Sequence, residues 1–249
     1  MVHIPAGSAV LGYVYYTGLY GPMPYEVAGF SIDRFEVTNA DYVRFVSATG
    51  HAPAAFADDP DFNQPDQPVT GVLHEDAQTY CAWAGKRLPT EMEWEKAARG
   101  ADGQTYPWGQ DTDLTRAHLS GEFPVSVVGF KDDISPHGVR GMAGNVSEWV
   151  ADTRTARAGV CRDNVVLDRQ ATPEMRALLA ELTAANGGVL PEFCVPPEEV
   201  DDSIPGEPCA YIKGNSWNGR PHMTAASNRM WDYTNTYAEF VGFRCATDG

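Results

Sequence analysis

A loop-rich α+β domain is the fold class this sequence predicts, and three observations carry it. The 249 residues include 24 glycines and 18 prolines, which argue for many turns and little regular structure. Hydrophobic residues make up 43% and aromatics 11%, ample for a core. A helix–corner–helix pattern between Leu73 and Gly100 lies among short β-rich runs broken by glycine and proline. One domain spanning residues 1–249 accommodates this length.

Taken in order, residues 2–12 and 25–37 read as strands. Thr38 caps a helix whose apolar side carries Tyr42, Phe45 and Val46, and Gly50 ends it. Residues 51–68, HAPAAFADDPDFNQPDQP, lack periodicity and form a long surface loop, either solvated filler or a functional segment. Next, Leu73, Ala77, Tyr80, Cys81 and Ala84 fall at helical spacing, and Gly85 supplies the left-handed residue that closes that helix. Arg87-Leu88-Pro89 runs extended, because the residue before a proline avoids the helical region. Thr90 and Glu93 form a capping box for a second helix, which runs from Glu91 to Gly100. Residues 101–140, with YPWG and GEFPVSVVGF, read as short irregular strands whose aromatics fill the core.

Residues 154–209 differ in character: they contain no lysine and end in an acidic Pro-Glu-Glu-Val-Asp-Asp run followed by Ser203 to Cys209. Within them Thr172 caps a helix, Pro173 takes its first position, and Met175, Leu178, Leu179 and Leu182 share one face, with Gly187 beyond the end. That stripe packs either on its own domain or on a partner.

The charge of -16, from 34 acidic against 18 basic residues, repels phosphate backbones and anionic membrane surfaces. No apolar run approaches the roughly 18 residues of a transmembrane helix. Five cysteines are few for a disulfide scaffold and odd in number. Cys161, Cys194 and Cys209 fall in the acidic segment, where two can pair and one is left over; a zinc site would need a fourth ligand and tighter spacing. The histidines (His3, His51, His74, His118, His137, His222) are scattered without ligand spacing such as HxxxH.

Several motifs occur in a telling order. PVTGVLHEDAQTYCAWAGKRLPTEMEWEKAARG is followed by YPWG, GMAGNVSEWVAD, KGNSW and GFRCA, and VHIPAGSAVLG and FSIDRFEVTNADYVRFV precede them. Together they resemble the formylglycine-generating enzyme family, also called the sulfatase-modifying-factor domain, over nearly the whole chain except about residues 154–209. The resemblance implies an irregular α+β fold related to the C-type lectin fold, with short helices and a small antiparallel sheet. It also implies a Cys81–Cys245 disulfide, hence an oxidising, extracytoplasmic compartment: periplasmic, secreted or surface, with any leader removed upstream.

The family's chemistry is missing at its expected places. Its enzymes hold copper(I) between two cysteines that follow a GGSW-like strand, and oxidise a substrate cysteine to formylglycine. Those positions carry over to Gly219 and Thr224, and NGRPHMTAASNRMW contains no thiol, so copper is not expected here. A tryptophan beside the family's oxygen site is Ser147 here, while Ser216 is kept. The resembled iron-dependent, sulfoxide-forming cousins take histidines from an added helical domain that this chain lacks. The remaining candidate pocket is Ser216, Arg220, His222 and Arg229, with Asn228 nearby. For calcium, the resemblance offers the carbonyls of Gly144 and Val146 and the Glu148 carboxylate, but the fourth ligand position is Gly141, which has no side-chain oxygen. A second calcium site maps to His118 and Leu119, beside a shortened segment between Gly121 and Gly138. Asn145-Val146-Ser147 fits a glycosylation sequon at what the family uses as a structural position.

Two function classes follow. One is a non-catalytic extracytoplasmic binding or structural module making protein or ligand contacts, with residues 154–209 as the partner element or the means of self-assembly. The other is a thiol-independent oxidoreductase of changed chemistry at Ser216, Arg220, His222 and Arg229. Fold alone does not choose between them.

Overall fold

The computed structural model describes residues 1–12, 23–156 and 207–249. The first expected strand run is a short β1 (Val2–Ile4) and then β2 (Gly7–Leu11), separated at Pro5, which lacks a ladder donor. The second is β3 (Met23–Val27) and β4 (Phe30–Ile32), separated at Ala28-Gly29. Strands β2 and β3 pair with each other, while β4 lies between β1 and a C-terminal β9 (Ala246–Asp248). Buried Val2, Ile4, Phe30 and Ile32 alternate with outward residues, so one face of this sheet is apolar.

Three helices follow the capping signals. Thr38 accepts the Asp41 N–H and caps α1 (Asn39–Thr49), which Gly50 closes at φ 73°. Helix α2 (His74–Trp83) buries Ala77, Tyr80 and Cys81, and Gly85 follows at φ 71°. The Thr90–Glu93 box caps α3 (Glu91–Arg99), whose Trp94 and Ala97 are fully buried.

The expected strands in 101–140 do not form; this stretch holds only a 3₁₀ turn at Leu114–Arg116 and isolated bridges such as Ile134↔Arg140. Its backbone bonds instead to side chains and distant loops, as where the Val125 N–H meets the Asn145 carbonyl oxygen of the side chain.

The central sheet has four strands: β5 (Ser147–Ala156), β6 (Glu207–Lys213), β7 (Arg229–Tyr233) and β8 (Val241–Phe243), in the order β7-β6-β5-β8. Its β5–β8 pair is parallel, so the sheet is mixed rather than wholly antiparallel. Trp149, Ile212 and Phe243 join Tyr42, Phe45 and Tyr80 in one core. Val150 joins Trp94, Phe30 and Ile4 in a second core on the other face. Strand β5 is therefore buried from both sides, which fits its run Ser147-Glu148-Trp149-Val150 without an exposed position.

The acidic segment leaves the sheet from β5 and returns through β6: Arg154 pairs with Cys209 and Ala156 with Glu207. Cys209 thus belongs to the sheet, fully buried, and not to an excursion between strands. The helix carrying Met175, Leu178, Leu179 and Leu182, together with Cys161 and Cys194, lies outside the described residues. Cys81 and Cys245 are joined by a disulfide that ties α2 to the chain between β8 and β9. Among the described residues, no helix is long and apolar enough to cross a membrane.

Candidate functional site

The site begins where β6 ends. Gly214, at φ 76°, turns the chain against Trp94, where a Cβ would lie 3.3 Å from the indole ring. Asn215 then enters the interior, only 2% exposed, and organises the whole turn that follows. Its Oδ1 accepts the Ser216 N–H at 2.9 Å, and its Nδ2 donates to the Arg220 carbonyl and to Thr224 Oγ1, each at 3.0 Å. A Cβ on Gly219 would stand 1.7 Å from Asn215 Oδ1 and 2.5 Å from its Cγ. Both positions at which the resemblance places thiols therefore abut one amide. Sequence reasoning passed over Asn215, although it is the third residue of KGNSW, where a GGSW-like strand has glycine.

Of the remaining candidate pocket residues, Ser216 and Arg220 lie on the turn, and Arg229 lies on the neighbouring strand β7 opposite Lys213. Ser216 is buried and donates to Asn218 Oδ1 at 2.8 Å, and Arg220 lies exposed on the same turn. The His222 side chain lies outside the described residues. Arg229 sits on β7, where it pairs with Glu91 at 3.2 Å and stacks on Tyr211 at 4.7 Å. That places it in an ion-pair network running through Lys213, Glu95 and Arg99. Burial opposes ionisation of Glu95, but Lys213 and Arg99 outweigh it and hold its carboxyl below the usual range. Ser147, fully buried, turns its hydroxyl toward the Gly214 carbonyl at 3.4 Å. An aromatic wall of Phe62, Phe123 and Trp217 flanks the turn, with ring centroids about 6 Å apart.

The calcium candidates lie one layer deeper. Glu148 accepts Arg244 Nη2 and Nε at 2.6 and 2.7 Å, and Trp94 Nε1 at 2.7 Å. Both of its carboxylate oxygens thus accept from side-chain donors. Gly144 and Val146 are buried beside it, and Gly144 touches the His118 backbone so closely that a Cβ would lie 2.6 Å from the carbonyl oxygen. Among the described residues, no group of three or more His, Cys, Asp or Glu side chains is placed to hold a metal ion. Asn145, at φ 70° and 6% exposed, gives its amide nitrogen to Glu36 and the Val125 carbonyl, which leaves the sequon nitrogen buried and engaged.

The family model described as the sulfatase-modifying factor enzyme 1-like domain matches residues 1–249. The chain belongs to this family. It is 31% identical to the mouse formylglycine-generating enzyme over 222 residues, covering 64% of this chain and 60% of that relative. It is 32% identical to mouse inactive C-alpha-formylglycine-generating enzyme 2 over 211 residues, covering 61% of this chain and 68% of the relative. The chain therefore spans less than two thirds of the enzyme's length. Among solved structures, PvdO from Pseudomonas aeruginosa superposes with a TM-score of 0.65 at 23% identity, covering 99% of this chain and 93% of that one. The fold is thus a mixed α+β fold shared with PvdO over nearly the whole chain. A copper ion held by two thiolates does not fit this member's turn: Thr224 offers a hydroxyl already bonded to Asn215, and the space beside Gly219 is filled.

Proposed function

We propose that this member of the sulfatase-modifying factor family is a non-catalytic binding or structural module that works outside the cytoplasm. The observation that carries the reading is the Asn215 side chain, which fills the space a cysteine at 219 would need and bonds to the residue at 224. A relative named as an inactive form of the enzyme supports it. The buried Cys81–Cys245 disulfide supports an oxidising compartment. Arg229, on which the oxidoreductase reading draws, is paired with Glu91.

The first test is chemical. Incubated with copper(I), reductant and oxygen, a cysteine peptide of the sulfatase type should keep its mass; conversion to the aldehyde would end this reading. The turn itself gives a sharper result. Gly219→Cys with Thr224→Cys should destabilise the fold by roughly 1–3 kcal/mol through overpacking against Asn215, and bind no copper(I). Adding Asn215→Gly should recover both stability and copper(I) binding. If the double variant binds copper(I) with Asn215 in place, the amide does not exclude the metal.

A partner is expected at the segment between β5 and β6, through the stripe of Met175, Leu178, Leu179 and Leu182. Leu178→Ser with Leu182→Ser should lower assembly while sparing the melting temperature. A large fall in melting temperature with assembly unchanged would assign the helix to the chain's own core.

A further inference from the structure

We propose that Asn218 is a site of self-modification: its side-chain amide is lost through a cyclic imide that water opens to aspartate or isoaspartate, and the Ser216 hydroxyl assists the step. This goes beyond the binding-module reading and does not depend on it.

The sequence supplies the reactive pair. Asn218 is followed by Gly219, whose nitrogen has no Cβ beside it to hinder approach to the Asn218 side chain. A larger residue does not fit there, because a Cβ on Gly219 would stand 1.7 Å from Asn215 Oδ1. The packing that fills the turn with Asn215 therefore also keeps a glycine after Asn218. The fold adds the rest. Asn218 is exposed, so water reaches it and ammonia can leave. The Gly219 N–H donates to the Ser216 carbonyl at 2.9 Å, which closes a tight turn over Trp217 and Asn218 and keeps the attacking nitrogen close. Ser216 Oγ donates to Asn218 Oδ1 at 2.8 Å. Ser216 is itself held in place: it is 3% exposed, and its N–H donates to Asn215 Oδ1 at 2.9 Å.

In the step, the Gly219 nitrogen bonds to Asn218 Cγ and gives up its proton. The bond from Cγ to the side-chain nitrogen breaks, and ammonia leaves; nothing is oxidised or reduced. Negative charge develops on Oδ1 as the nitrogen adds, and the Ser216 hydroxyl already donates to that oxygen, where a fixed donor has its largest effect. Water then opens the imide. Breaking the new bond gives aspartate, and breaking the original peptide bond gives isoaspartate, with the main chain passing through the former side-chain carbon. The Gly219 N–H must leave the Ser216 carbonyl before it attacks, which slows the step. One exposed turn hydrogen bond is a modest restraint, and the donor on the developing oxyanion outweighs it.

Either product sets a carboxylate on the rim of the turn, close in sequence to the exposed Arg220. Isoaspartate also lengthens the chain where Gly219 packs on Asn215, and so loosens the turn that Asn215 ties to Arg220 and Thr224.

The test is peptide mapping by mass spectrometry of the folded protein held at mildly alkaline pH and body temperature. Asn218 should convert to a mixture of aspartate and isoaspartate, and faster than in the same protein unfolded in urea, where the Ser216 donor is lost. That comparison uses the unaltered chain and needs no variant to fold. Ser216→Ala should slow the conversion by roughly tenfold or more. Asn186-Gly187, the other Asn-Gly pair of the sequence, should keep the parent's rate in that variant. An Asn218 that stays whole in the folded protein, or converts no faster than in urea, overturns the proposal. So does a rate unchanged in Ser216→Ala, or one slowed equally at both pairs, since the effect would then belong to the fold as a whole and not to the hydroxyl.

Discussion

Arg244→Met is expected to cost about 3–5 kcal/mol of stability, among the largest losses for a single substitution in this chain. The guanidinium is wholly buried and makes two hydrogen bonds to Glu148 and others to backbone carbonyls across the β4–α1 and 140–148 connections. Removing it strands the Glu148 carboxylate without its cation and leaves those carbonyls without a donor. The loss should be read from denaturant midpoints at fixed pH. Glu148→Gln added to Arg244→Met should restore part of it, because an amide carries no charge and keeps an oxygen for the Trp94 N–H at the same place. A single variant that loses less than about 1 kcal/mol would mean that the centre relaxes or admits water on losing its cation.

Cys81→Ala with Cys245→Ala is the second large expected effect. The disulfide spans a sequence separation of 164, for which the chain-entropy model gives about 5 kcal/mol. Against a total stability of about 5–15 kcal/mol, a loss of that size puts the fold near its threshold. Noncovalent ties act at the same place: Asp33 accepts the Cys245 N–H at 3.2 Å, donates its own N–H to the Cys245 carbonyl, and pairs with Lys86 at 2.6 Å. The reduced chain should therefore keep its fold at low temperature and melt early, with a loss nearer 2–4 kcal/mol if native contacts persist in the unfolded state. Peptide mapping without reduction should recover the two cysteine peptides joined. Their recovery as free thiols from native material would also remove the argument for an oxidising compartment.

The helices were legible in the residues because their signals are local. Thr90 and Glu93 are three positions apart, and Gly50, Gly85 and Gly100 each mark an end by a backbone angle that other residues avoid. The motif order likewise identified the family, and the absence of thiols at 219 and 224 needed no coordinates. Strands were read less well. Residues 101–140 carry apolar runs that look extended, yet their backbone groups find partners in loops and side chains far along the chain. The parallel pairing of β5 with β8 joins residues over ninety positions apart, and no local pattern encodes it.

The two sites divide in the same way. Residue types alone revealed what the turn after β6 lacks, but only the folded chain revealed what took its place. A Cβ at position 219 would lie 1.7 Å from Asn215 Oδ1, a relation that depends on how the turn closes. Glu148 stands out in sequence only by its place in the motif; that Arg244, 96 residues later, donates to both its oxygens is seen only in the fold. Nor does the sequence signal that Glu36 is buried beside the same guanidinium, since that follows from how the segment between β4 and α1 meets Arg244. Sequence thus determined the family, the helices and the missing thiols through neighbours a few residues apart. Tertiary structure decided the charge balance and the filling of the turn, because both arise from contacts that exist only once distant segments share one interior.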